Sequence, residues 1–216
     1  PDAQGNLPKI IGGGSNRLFK VGSGGELVVK YLNLTGGSVN ESSCVSQCGG
    51  GAVHVNGGTF GAFHAVFMNN RAFHGEGGAI YAAHSTVNVH IGDSVFAGNY
   101  ASSRGGALTQ ISGTCVITSS AFLNNSAGWN RRHHWHCHGG ALTLDNVKAD
   151  IISTNISFNT ASDGAGAVLS DGGSLRVDSS IFTSNVAYGR GGAFYLRENS
   201  FEIISSTFTL NEAKLA

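Results

Sequence analysis

The densest group of chemistry-bearing side chains in the 216-residue chain lies at 129–138, which reads Trp-Asn-Arg-Arg-His-His-Trp-His-Cys-His. Imidazole and thiolate ligate Zn or Cu, so His133, His134, His136, Cys137 and His138 are candidate metal ligands, and the only place where a cofactor is suggested. Their spacing matches no standard zinc module. A second chemistry fits the same residues. Trp129 and Trp135 can stack on a sugar ring while Arg131, Arg132 and the histidines bond its hydroxyls. A third reading is a solvated loop packed on its neighbour through the two tryptophans.

Other reactive groups are sparser. Of the four cysteines, Cys44 and Cys48 share one short stretch and suit a local disulfide in an oxidising compartment. Cys115 reads as a small buried hydrophobe, which leaves Cys137 as the odd thiol. Asn33, Asn40, Asn124 and Asn155 each open an Asn-x-Ser/Thr triplet, the acceptor for N-glycosylation on a secreted chain.

These groups are positioned by a repeated phrase. Its second glycine falls at Gly51, Gly78, Gly106, Gly140, Gly166 and Gly192, at intervals of 26 to 34 residues. A fixed period in this range marks a solenoid. Aligned on a Phe-x-x-Asn-x-Ala ending, the copies share slots. Leu34, Phe67, Phe96, Phe122, Ile156, Phe182 and Phe208 fill the first, and Asn70, Asn99, Asn125, Asn159, Asn185 and Asn211 the second. Ala72, Ala101, Ala127, Ala161, Ala187 and Ala213 close each copy. Upstream, apolar residues alternate with polar ones, the period of a strand with one buried face.

One copy cannot bury its own apolar face, so copies must stack. The expected fold is all-β, a right-handed parallel β-helix of about seven rungs at ~4.8 Å each. Residues 1–11 are expected to be an N-terminal cap or tail. Residues 12–216 are expected to form the helix, with corner insertions at 38–49 and 126–138. The glycines should allow sharp corners. The Asn slot should suit a left-handed turn and let amides bond from rung to rung. His74 falls at the insertion corner and could join the His-rich group. Two outward columns should stack charge, Asp150 with Arg176 and Glu202, and Asp145 with Asp171 and Arg197. Asp145 and Asp171, about one rung apart, have the spacing of a retaining glycosidase pair, but Arg197 continues their column as in a surface charge ladder.

Gly-Gly-Ala-Ile at 77–80 followed by Phe-x-x-Asn at 96–99 resembles the repeat of the polymorphic outer-membrane proteins, a class of pectin-lyase-like right-handed parallel β-helices. The resemblance covers roughly residues 50–213. It implies an adhesive or structural surface protein and no enzyme. Similar repeats occur in secreted proteins of algae and other microbial eukaryotes, which suits the glycosylation triplets.

Composition narrows the partners. Basic and acidic residues balance at 13 each, with no basic stripe for nucleic acid. No apolar run approaches the ~18 residues of a membrane span. The Asn-Thr-Asp, Asp-Asp and Gly-His-Gly motifs of pectin hydrolases are missing. The expectation is therefore a secreted, extracellular or cell-surface protein that is not an enzyme. Its last rung is expected to offer a free strand edge, so copies would associate head to tail into a fibre or appendage. The alternative is a carbohydrate-binding or polysaccharide-cleaving β-helix, a lyase or hydrolase with its site at 126–138.

Overall fold

The computed structural model describes residues 5–40, 48–128 and 138–214. Every described element is a strand, and every strand pairing is parallel, joining residues one copy apart. No helix among the described residues is long and apolar enough to cross a membrane.

Three sheets run the length of the molecule. The first is built on the Phe slot. Its strands include Asn33–Thr35, Val66–Met68, Val95–Ala97, Ala121–Leu123, Asn155–Ser157, Ile181–Thr183 and Thr207–Thr209. Leu34, Phe67, Phe96, Phe122, Ile156, Phe182 and Phe208 are register partners down its inner face. The Phe67 and Phe96 rings stack at 4.6 Å, and Phe96 and Phe122 at 4.7 Å. Each buried ring contributes about 1.5–3 kcal/mol of apolar burial. This sheet also takes in Lys9–Ile11, paired to Asn33–Thr35 with Ile10 opposite Leu34. A strand of the ladder thus lies inside the segment expected to act as a cap or tail.

The second sheet is narrow and carries the Ala slot, from Ser38–Val39 to Glu212–Ala213. Ala72 to Ala187 are buried at its inner position, where the small side chain lets the corner close tightly. Ser38–Val39 and Ser126–Ala127 are strands of this sheet, so the insertions leave the coil only after Val39 and Ala127. The third sheet holds the long strands, among them Val53–Phe63, Ile80–Gly92, Leu142–Ile152 and Val168–Asp178. Leu108–Ile111 and Thr114–Thr118 lie end to end between Ile80–Gly92 and Leu142–Ile152. The chain kinks between them at Ser112 and Gly113, both of positive φ. Buried Gln110 bridges the kink, donating to the Ser112 and Thr114 carbonyls.

Three strand directions per copy, each stacked in parallel on the next copy, form the architecture of a parallel β-helix. Side chains hold its corners. Nδ2 of Asn70, Asn99, Asn125, Asn159 and Asn185 donates to Oδ1 of the next asparagine at 2.8–3.1 Å. Each of these amides also donates to a carbonyl of the preceding rung, as Asn125 does to Phe96 O at 3.0 Å. Each Oδ1 accepts from a backbone N–H as well, as Asn125 Oδ1 does from Asn99 N. Positive φ falls on the residue before the asparagine, at Asn69, Gly98, Asn124, Phe158, Ser184 and Leu210. The Asn slot is therefore set by amide bonding rather than by a left-handed turn.

A second polar column runs two residues before the Phe slot. Oγ of Ser94, Ser120, Ser180 and Ser206 and Oγ1 of Thr154 each accept from a backbone N–H of the preceding rung. Each also donates to the carbonyl two residues earlier. At the glycine corner, a Cβ on Gly106 would collide with the Gly140 carbonyl oxygen of the next rung. Only glycine permits that approach.

Candidate functional site

The corner that carries both insertions joins the Ala-slot sheet to the long strands. Glu76, Arg104 and His138 each stand two residues before the second glycine of their copies, on successive rungs. The outward column of the long strands holds His54, Tyr81, Thr109, Thr143 and Leu169, which are buried although they point away from the core.

Arg104 sits between two carboxylates. Its Nη2 is 2.9 Å from Glu76 Oε1 and its Nη1 3.4 Å from Asp145 Oδ2, while Thr109 Oγ1 donates to its carbonyl at 2.8 Å. Burial works against the Arg104 cation, but the charge and hydrogen bond of Glu76, with Asp145, outweigh it and raise its pKa. Burial, then the Glu76 carboxylate, lifts the Tyr81 hydroxyl to about 12, so the phenol stays protonated. His54 lies edge-on to Tyr81 at 5.2 Å. Burial, with the Arg17 and Lys20 cations, lowers its pKa to about 4, so it is neutral at physiological pH. Among the described residues, Glu76 Oε2 and His54 Nδ1 are buried without a hydrogen-bond partner.

The ends of the second insertion are fixed beside this cluster. Gly128 N donates to Ala101 O at 3.0 Å, and a Cβ there would strike the His138 ring. His138 is buried with Nδ1 2.9 Å from Ser103 O. A carbonyl only accepts, so Nδ1 donates to it. The remaining candidates there, Trp129, Arg131, Arg132, His133, His134, Trp135, His136 and Cys137, lie outside the described residues. So does Cys44, proposed partner of Cys48; Cys48 itself is not a free thiol. Among the described residues no group of three His, Cys, Asp or Glu could hold a metal ion. His74 is exposed.

The charge columns take the expected register, but their partners are set by geometry. Asp145 faces Asp171, and Asp171 faces Arg197. Arg197 clamps both Asp171 oxygens, at 2.9 and 2.6 Å, while Arg104 and Asn146 hold Asp145. Arg176 bonds Asp178 at 2.6 Å and approaches Glu202 at 3.6 Å, rather than closing on Asp150. The Glu76–Arg104–Asp145 cluster joins residues 28 and 41 positions apart. It is a feature that sequence reasoning missed, because no single slot contains it. Cys115 is free and buried, and burial pushes its thiol to about 12, an unreactive state. Of the glycosylation triplets, Asn40, Asn124 and Asn155 are exposed, and Ser157 Oγ donates to Asn155 Oδ1. Asn33 has its Oδ1 buried, with no hydrogen-bond partner among the described residues.

Residues 64–83 and 179–197 match the model of the Chlamydia polymorphic membrane protein repeat. Two copies of the chain's own repeat are therefore similar to that family's repeat. Each matched stretch runs from just before a Phe slot, through its asparagine, to the following Gly-Gly-Ala. Those are the slots that the stacked rings, the amide column and the glycine corner occupy. Neither the curated proteins nor the solved structures contain a match to the chain.

Proposed function

We propose that this chain is the shaft of a secreted or cell-surface protein, a right-handed β-helix of about seven rungs, structural or adhesive rather than catalytic. The observation that carries this reading is the asparagine column. It runs through six consecutive copies with its amides bonded both across and along the coil. Buried polar groups bonded this fully rigidify a fold, as a shaft requires. Two further observations support it. Two stretches of the repeat match that of the polymorphic membrane proteins, and the acids at the insertion corner are neutralised by arginines instead of standing as a free catalytic pair. Glycans on Asn40, Asn124 and Asn155, and a Cys44–Cys48 bridge, belong to this reading. Protease treatment of intact producing cells tests it. Loss of the protein without cell lysis is the expected result. Protection until lysis would overturn the surface assignment.

End-to-end assembly into a fibre is its finer form.

A second reading places a carbohydrate site at the 126–138 insertion. The fixed Gly128 and His138 anchors beside Arg104 favour it, since a binding loop gains from a rigid base. Replacing Trp135 with Ala should abolish glycan binding and leave the fold intact. Unchanged binding would remove this reading.

A further inference from the structure

Six arginines are described, and five of them are engaged. Arg17 bonds the Gly49 and Gly50 carbonyls. Arg104, Arg176, Arg190 and Arg197 each approach a carboxylate within 4 Å. Arg71 differs. It is exposed, and among the described residues no carboxylate lies within salt-bridge distance of it. Its guanidinium instead stands 5.9 Å over the ring of Phe73, which is itself 37% exposed.

The strand geometry explains the grouping. Arg71 and Phe73 flank buried Ala72 and so point to the same outer face of the Ala-slot sheet. On the next rung Tyr100 is the register partner of Arg71. The Phe73 and Tyr100 rings lie 6.1 Å apart. A cation and two aromatic rings therefore share one rigid outer face. The outward slots of this sheet carry no acid before Glu212, and Lys214 pairs that residue at 3.4 Å. The insertion that leaves the face after Gly128 contains Arg131 and Arg132 and no acid, while Glu41, after Asn40, lies outside the described residues.

We infer that the Arg71–Phe73–Tyr100 face binds an acidic polysaccharide, of the uronate or sulfated class. A pyranose presents an apolar C–H face that suits the exposed Phe73 ring. A carboxylate or sulfate on the same sugar suits the planar guanidinium fork beside it. Burial raises the Tyr100 pKa, which keeps its hydroxyl available as a donor. The alternatives fit less well. Anionic membranes select clusters of four to eight cations, and nucleic acid needs a stripe of them. This inference rests on the adhesive form of the proposed function and supplies its ligand class.

Affinity electrophoresis of the whole chain through gels containing polygalacturonate or neutral dextran tests it. Retardation by polygalacturonate and not by dextran is expected. Arg71→Ala and Phe73→Ala should each weaken it tenfold or more, with thermal unfolding unchanged. Arg71→Lys, which keeps the charge and loses the planar fork, should fall between. Retardation no greater than in dextran would overturn the inference, and so would retention that ignores both alanine variants. Arg71-dependent binding to phosphatidylserine vesicles without polygalacturonate binding would reassign the face to lipid. Shortening of the bound polymer would contradict the non-catalytic shaft while leaving the binding face in place, so the two failures are distinguishable.

Discussion

At the residue scale the asparagine column carries the strongest expectation. Replacing Asn125 with Ala removes the acceptor of both Asn99 donors and the donor to Phe96 O and Asn159 Oδ1. Each buried group left unpaired costs about 1–3 kcal/mol, so chemical denaturation should show a loss of about 3–5 kcal/mol. Asn125→Asp should fail similarly, because a carboxylate has no N–H to give. A loss below about 1 kcal/mol would mean that the amides are not cooperating. His54 supplies a pH dependence. Its folded pKa is lowered to about 4 from an ordinary 6.5. The unfolded chain therefore takes up the proton first as pH falls. Stability should decline between pH 6.5 and about 4 and then level off, and urea midpoints across that range would show it. In a His54→Phe variant this component should vanish. The asparagines, phenylalanines and alanines were legible in the sequence because identity recurs at a fixed offset. The Ser/Thr column was equally periodic, yet a hydroxyl two residues before an aromatic carries no signature of its own. Its meaning needs the neighbouring rung's N–H in place.

At the scale of elements, corners decide more than strands. Gly106→Ala would drive a methyl group into the Gly140 carbonyl and should prevent the two rungs from closing, read as loss of soluble folded protein. An Ala that folds with wild-type stability would show that the corner can open. Arg104→Ala would leave Glu76 and Asp145 side by side without their shared cation. The site is partly solvated, so about 1–2 kcal/mol is the expected loss, read from urea midpoints at neutral pH. The sequence could not show this cluster, because Arg104 reaches across one rung to Glu76 and along the other direction to Asp145. The periodic pattern likewise suggested Asp150 as a partner of Arg176, but a side chain follows local reach, and Asp178 on the same strand is nearer. His54, Tyr81, Thr109, Thr143 and Leu169 point away from the core yet are buried, because strand alternation says which way a side chain points and nothing of what lies over it.

At the scale of the whole molecule the described residues form three parallel sheets wound on common ladders. Electron microscopy with mass per unit length tests assembly. Rods carrying one 22.2 kDa chain per about 35–40 Å, from seven to eight rungs of ~4.8 Å, would support end-to-end stacking. Dispersed single chains at high concentration would remove it. The central claim is a shaft that holds a glycan without altering it. The most direct measurement is the chain-length distribution of polygalacturonate recovered from its complex with the protein. A recoverable complex whose polymer keeps its starting length is expected. Shortened polymer in that complex would contradict it.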